Sequence, residues 1–170
     1  MQDKIHAQLP ENLMTQRDSI LIVLGMHRSG TSFLTDCTEI LGFALPGDRS
    51  GPASDNPKGH FEPRAIVDLD DAVMARDGAL WARIAPVKAR PSTQEMQAAI
   101  DTSFGDAPRI VVKDPRMSLL MAAWRPFLES LGPTGALISL RHPAETAASL
   151  AKRTPTTRHT YGWRRATLLS

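Results

Sequence analysis

Three short, nearly continuous apolar runs limit what this chain can fold into. Ser19-Ile-Leu-Ile-Val-Leu24, Arg109-Ile-Val-Val-Lys113 and Ala136-Leu-Ile-Ser-Leu-Arg141 read as strands, the first continuous and rich in β-branched residues, as a strand buried on both faces is. Helix-period segments separate them. Residues 31–41 place Phe33, Leu34, Cys37, Ile40 and Leu41 on one face, and Gly42 ends that helix. Residues 64–75 and 92–104 follow, the second opened by Pro91 and a Ser92–Glu95 capping box. A further helix is expected over 117–131, and another over 143–152 with Pro143 in its first position. Phe43-Ala-Leu45 reads as a short extra strand. Strands alternating with helices predict an α/β fold of three layers, a central parallel sheet with helices on both faces. Ligands of such sheets gather at the C-terminal strand ends.

Residues 1–18 form a polar N-terminal extension, and 19–170 are expected to be one domain. The 42% hydrophobic and 22% charged shares are those of an ordinary globular protein. No apolar run approaches the roughly eighteen residues of a membrane span, and the N-terminus lacks the basic start and apolar stretch of a secretory signal. Cys37 is the only cysteine, so no internal disulfide can form, which suits a cytoplasmic protein. The five histidines and Cys37 lack zinc-ligand spacing, and no metal is expected. The formal charge of +2 says little, and no nucleic-acid partner is expected. After Glu145, however, Lys152, Arg153, Arg158, Arg164 and Arg165 meet no acidic residue. They are either a solvated tail or a positive rim for an anionic ligand.

Between the first strand and its helix lies Gly25-Met-His-Arg-Ser-Gly-Thr-Ser32, the strand–loop–helix setting of a P-loop-type fold. Backbone N–H groups and a helix N-terminus there can hold an anion. The spacing is Gly-x-x-x-x-Gly, but Thr31 stands where nucleoside triphosphatases place lysine, and the cation is Arg28. Arg28 can grip an anionic group, to which Ser29, Gly30, Thr31 and Ser32 can donate hydrogen bonds. The plainer alternative is a glycine turn. A second cluster, Arg141-His-Pro-Ala-Glu-Thr-Ala-Ala-Ser149, ends a strand with an arginine able to fork onto a phosphate. Ser149, two turns into the next helix, can turn its hydroxyl toward the same group.

The Arg28-Ser-Gly-Thr-Ser32 segment resembles the 5′-phosphosulfate loop of PAPS-dependent sulfotransferases, above all the bacterial and Golgi-type members. Arg141 and Ser149 resemble that family's 3′-phosphate motif in type, spacing and order. Two further segments are similar: Arg109-Ile-Val-Val-Lys-Asp-Pro-Arg116, and Asn56-Pro-Lys-Gly-His-Phe-Glu-Pro63, which lies in a long 46–63 loop. The likeness spans about 20–152. It implies PAPS (3′-phosphoadenosine 5′-phosphosulfate) as donor, a small-molecule or carbohydrate acceptor and no metal. Lys113 and Arg28 would meet charge on the leaving group. Pro115 stands where cytosolic members keep a catalytic histidine, so the implied base is Glu62, with His60 second. Glu62 reads equally as a loop carboxylate paired with Arg64 or Lys58, and Arg116 with Asp114 either as a salt bridge ordering Lys113 or as a substrate contact. About twenty residues follow Ser149, fewer than in family members, and 161–169 could add one helix. A short chain of this kind implies an incomplete sheet, an exposed apolar edge, a half-open donor site and a tendency to homodimerise. Two other readings stand beside the enzyme: a fragment or module that binds adenosine 3′,5′-bisphosphate without turnover, and a P-loop kinase-like phosphotransferase.

Overall fold

The computed structural model describes residues 15–49, 51, 59–80 and 86–153. The first fourteen residues, Lys58, and the stretch 154–170 with its expected helix and basic side chains lie outside them. Among the described residues, eight elements run in the order β1 (Ser19–Gly25), α1 (Thr31–Ile40), α2 (Arg64–Arg76), α3 (Thr93–Phe104), β2 (Arg109–Lys113), α4 (Met117–Leu131), β3 (Thr134–Ser139) and α5 (Pro143–Arg153). The strands form one parallel sheet in the order β2-β1-β3. The register sets Val23 beside Lys113 and Gly25 beside Ser139, so three strand ends come together at one edge.

Alternation along the strands decides which residues meet which helices. Ile20 and Ile22 of β1 and Ile110 and Val112 of β2 join Ile66, Val73, Met74, Ile100, Trp124 and Leu128 in one core, which fixes α2, α3 and α4 on that face. Val23 and Val111 point the other way and are also fully buried. The helix α1 packs on β1 and β2, and none of its side chains belongs to the α2–α4 core. Helices therefore cover both faces, as the alternation predicted.

Three local expectations need correction. The 43–45 run is no strand: a single parallel bridge joins Ala44 to Ile110, because Gly42 turns the chain out of α1 and Pro46 ends the pairing. The third strand runs over Thr134–Ser139 rather than 136–141, since its ladder on β1 begins at Ile20–Thr134 and stops at Gly25–Ser139. The helix α1 is also turned over. It buries Thr31, Thr35 and Thr38, while Phe33, Ile40 and Leu41 face outward. The buried hydroxyls are satisfied within the helix, Thr35 Oγ1 donating to the Thr31 carbonyl at 2.9 Å and Thr38 Oγ1 to that of Thr35 at 2.7 Å. The preceding loop fixes this rotation. At Gly25 (φ 147°) an added Cβ would lie 2.7 Å from the Ser139 carbonyl and 3.0 Å from Thr31 Cγ2, so strand end, β3 and helix start close on one point.

Caps matched expectation where the signal was local. Ser92 accepts from the Glu95 N–H and its own N–H donates to Glu95, a complete capping box. No side chain adjacent in sequence caps α2. Asp48, seventeen positions upstream, accepts from the Ala65 N–H at 2.8 Å and from Ser103 Oγ at 3.1 Å, tying the start of the long loop to α2 and α3.

Candidate functional site

At the C-terminal edge of the sheet lies a cavity of about 280 Å³, lined by His27, Arg28, Gly30, Thr31, Ser32, Phe33, His60, Glu62, Lys113 and Arg141. Five chain segments contribute: the loop after β1, the first turn of α1, the loop before α2, the end of β2 and the turn after β3. Three cations, Arg28, Lys113 and Arg141, face one carboxylate, so the lining favours an anion.

The 25–32 loop is built to open toward this space. Gly30, at φ 102°, caps α1 without a side-chain hydrogen bond. The first N–H groups of α1 therefore have no intrahelical acceptor, and they start where Gly30, Thr31 and Ser32 line the cavity. Arg28 sits at φ 69°, a left-handed conformation that costs a non-glycine residue about 1–2 kcal/mol. Contacts from distant segments hold it there. Its Nε donates to Ser149 Oγ at 3.0 Å, and its carbonyl accepts from Arg141 Nη1 at 3.0 Å. The two sequence clusters thus meet in space. Ser149 orients Arg28 from α5 and does not itself line the cavity. Ser29 is spent on the loop: its Oγ donates to the Met26 carbonyl at 2.7 Å, and its carbonyl accepts from Ser139 Oγ at 2.8 Å. Ser32 Oγ donates to the His60 carbonyl at 3.3 Å.

The opposite wall centres on Lys113, only 2% exposed at the end of β2. Its ammonium donates to Glu62 Oε1 at 2.5 Å and to the His60 carbonyl at 3.0 Å. Phe61, buried at φ 56° between these two, pins the loop and turns His60 and Glu62 toward the strand ends. Burial alone would raise the Glu62 carboxyl. The Lys113 ammonium, its hydrogen bond, and the nearby His27 and Arg116 outweigh burial and hold Glu62 below the usual carboxylate range. Glu62 is thus an ion-paired carboxylate, but its partners are Lys113 and, at 3.9 Å, Arg116. The expected pairing with Arg64 is not made, because Arg64 bonds Asp68 one turn along α2.

Behind Lys113, Arg116 reaches Asp114 at 2.9 Å, the salt bridge that was one of the two sequence expectations for this pair, and also Asp71 at 2.7 Å. Burial opposes its charge, but the two aspartates hold the guanidinium above its ordinary range, so it stays protonated throughout. Two lining residues had not been singled out, His27 and Phe33. The signal for His27 was its place between Gly25 and Gly30. The helical period puts Phe33 on the apolar face of α1, yet it stands 69% exposed at the rim.

Compared with protein-family models, curated proteins and solved structures, the chain matches none of them.

Proposed function

We propose that this protein transfers a sulfuryl group from PAPS to a hydroxyl or amine of a small-molecule or carbohydrate acceptor. The observation carrying the reading is the joint between the two arginine clusters. Arg28 bonds Ser149 and accepts from Arg141 at the mouth of a cavity that also holds Lys113 and Glu62. A donor with a phosphosulfate at one end and a 3′-phosphate at the other needs two anion-gripping clusters at a fixed separation. The uncapped start of α1 suits the first and Arg141 the second.

In the transfer, the acceptor oxygen or nitrogen forms a bond to sulfur while the bond from sulfur to the 5′-phosphate oxygen breaks. Adenosine 3′,5′-bisphosphate leaves, and the acceptor loses a proton. Lys113 and Arg28 would meet the charge growing on the leaving oxygen. The Lys113–Glu62 contact links this to the proton. As Lys113 turns from Glu62 to the leaving oxygen, the carboxylate loses the partner that depresses its basicity and becomes able to accept the acceptor's proton. His60 is the second candidate for that role.

The ion-paired state of Glu62 also favours a second reading, a module that holds adenosine 3′,5′-bisphosphate without turnover. A labelled sulfuryl group that never leaves the donor would select it. The first test is calorimetric titration with adenosine 3′,5′-bisphosphate in EDTA. Micromolar binding is expected, weakened at least about tenfold by Arg141→Ala, as loss of a charged phosphate contact implies. No binding by the folded wild type would overturn both readings. Magnesium-dependent ATP binding would favour a phosphotransferase.

A further inference from the structure

Two carboxyl groups meet out of water behind the cavity. Asp70 of α2 and Asp114 just after β2 are both 0% exposed, and their side chains lie within hydrogen-bonding reach of each other. Their other partners differ. Asp114 Oδ1 takes two donors from Arg116, the backbone N–H at 3.0 Å and Nη1 at 2.9 Å. Asp70 Oδ1 takes one neutral donor, Trp124 Nε1, at 2.8 Å. The Oδ2 atom of each is buried with no donor from another group.

Two adjacent carboxylates in a dry layer do not both ionise, and one proton shared by the pair would satisfy an orphaned oxygen on each side chain. The asymmetry says whose proton it is. The guanidinium and the N–H favour negative charge on Asp114, and the neutral indole leaves Asp70 as the acid. We propose that Asp70 donates this proton to Asp114 Oδ2 and that the pair is a positioning element. It fixes Asp114 as an anion, Asp114 fixes Arg116, and Arg116 backs the Glu62 carboxylate that holds Lys113. Electrostatics agree with the geometry. Burial first, then the Asp114 charge, pushes Asp70 well above the ordinary carboxyl range, against the smaller pull of Trp124 and Arg116. Burial also raises Asp114, with Arg116 opposing and Glu62 adding to the rise. Among the described residues, Arg116 from the turn after β2 and Glu62 from the loop before α2 bear on the pair most strongly. From α4 comes the uncharged Trp124.

The sign of the pH dependence follows. A carboxyl raised in the folded state adds stability that is fully present below its unfolded value, about 3.9, and is lost as pH rises through the folded value. Asparagine at position 70 keeps the hydrogen bond through its amide and has no proton to lose. Asparagine at position 114 removes the anion from Arg116.

The role in transfer rests on the proposed function, but the shared proton does not, so the experiment starts with ligand-free protein. Infrared difference spectra at neutral pH, wild type minus Asp70→Asn, should contain a protonated-carboxyl band. Urea midpoints taken from about pH 5 to about pH 9 should fall with pH for the wild type and stay level for Asp70→Asn. Asp114→Asn should have the lower midpoint at every pH. In titrations with adenosine 3′,5′-bisphosphate, Asp70→Asn should bind within about twofold of wild type and Asp114→Asn about tenfold more weakly. Absence of the band, or equal loss of stability in both variants at all pH values, would overturn the proposal. A wild type that has the band but does not bind the nucleotide would support the shared proton while refuting the transfer reading.

Discussion

On the face covered by α2, α3 and α4, Ile66, Val73, Met74, Ile100, Trp124 and Leu128 are closed off from water, whereas at the β3 edge Ile138 and Leu140 stand 66% and 88% exposed among the described residues. The two regions do not differ in how apolar their residues are. They differ in neighbours. The first carries the burial that holds the fold, while the second carries Arg141 to the cavity and Ser139 to the Ser29 carbonyl. The cavity joins the two, because Lys113 and Glu62 line it from the β2 side and Arg141 from the β3 side.

That division can be broken or sharpened by substitution. The largest effect is expected at Trp124→Ala, which empties a fully buried site and removes the donor to Asp70. A loss of about 3–5 kcal/mol in urea unfolding is expected. At the seam, Glu62→Gln should cost about 1–3 kcal/mol near neutral pH, because Lys113 loses a charged hydrogen-bond partner. Its pH profile should change as well. A carboxyl held low in the folded state adds stability above its unfolded value, about 4.3, and that stability is lost as pH falls through the folded value. Unfolding followed down to about pH 3 should show this acid-side decline in the wild type and a shallower one in Glu62→Gln. The smallest effect belongs to the edge. Ile138→Ser should change stability by no more than about 0.5 kcal/mol and reduce self-association in light scattering. A cost there comparable to that of Trp124→Ala would abolish the distinction between the two regions.

Much of the fold was legible because its signals are local. The capping box at Ser92, Pro143 at the head of α5 and the unbroken apolar runs each act within a few residues, and α4 spans Met117–Leu131 as expected. What failed depended on distant neighbours. The apolar residues of α1 predicted a buried face, yet the closure at Gly25 and Ser139 decides which side meets the sheet, and threonines fill it. In the site, periodicity placed Lys113 at the end of β2, while Arg141, expected to end a strand, lies two residues past the end of β3. Its convergence with Lys113 and Arg28 followed from the parallel order. Which cation Glu62 would pair with, and that Asp70 would face Asp114, are matters of approach between segments about fifty residues apart or less, with no sequence spacing to mark them.

The bond from Arg141 to the Arg28 carbonyl spans 113 positions of chain, and the one from Arg28 to Ser149 spans 121. A chain in which β3 and α5 are undocked cannot present this mouth. An anion seated across it acts as a reversible crosslink between the early and late parts of the chain. At about one hundred times its dissociation constant, such a ligand would add about 2.7 kcal/mol to the folded state. It would do so without adding to the hydrophobic core.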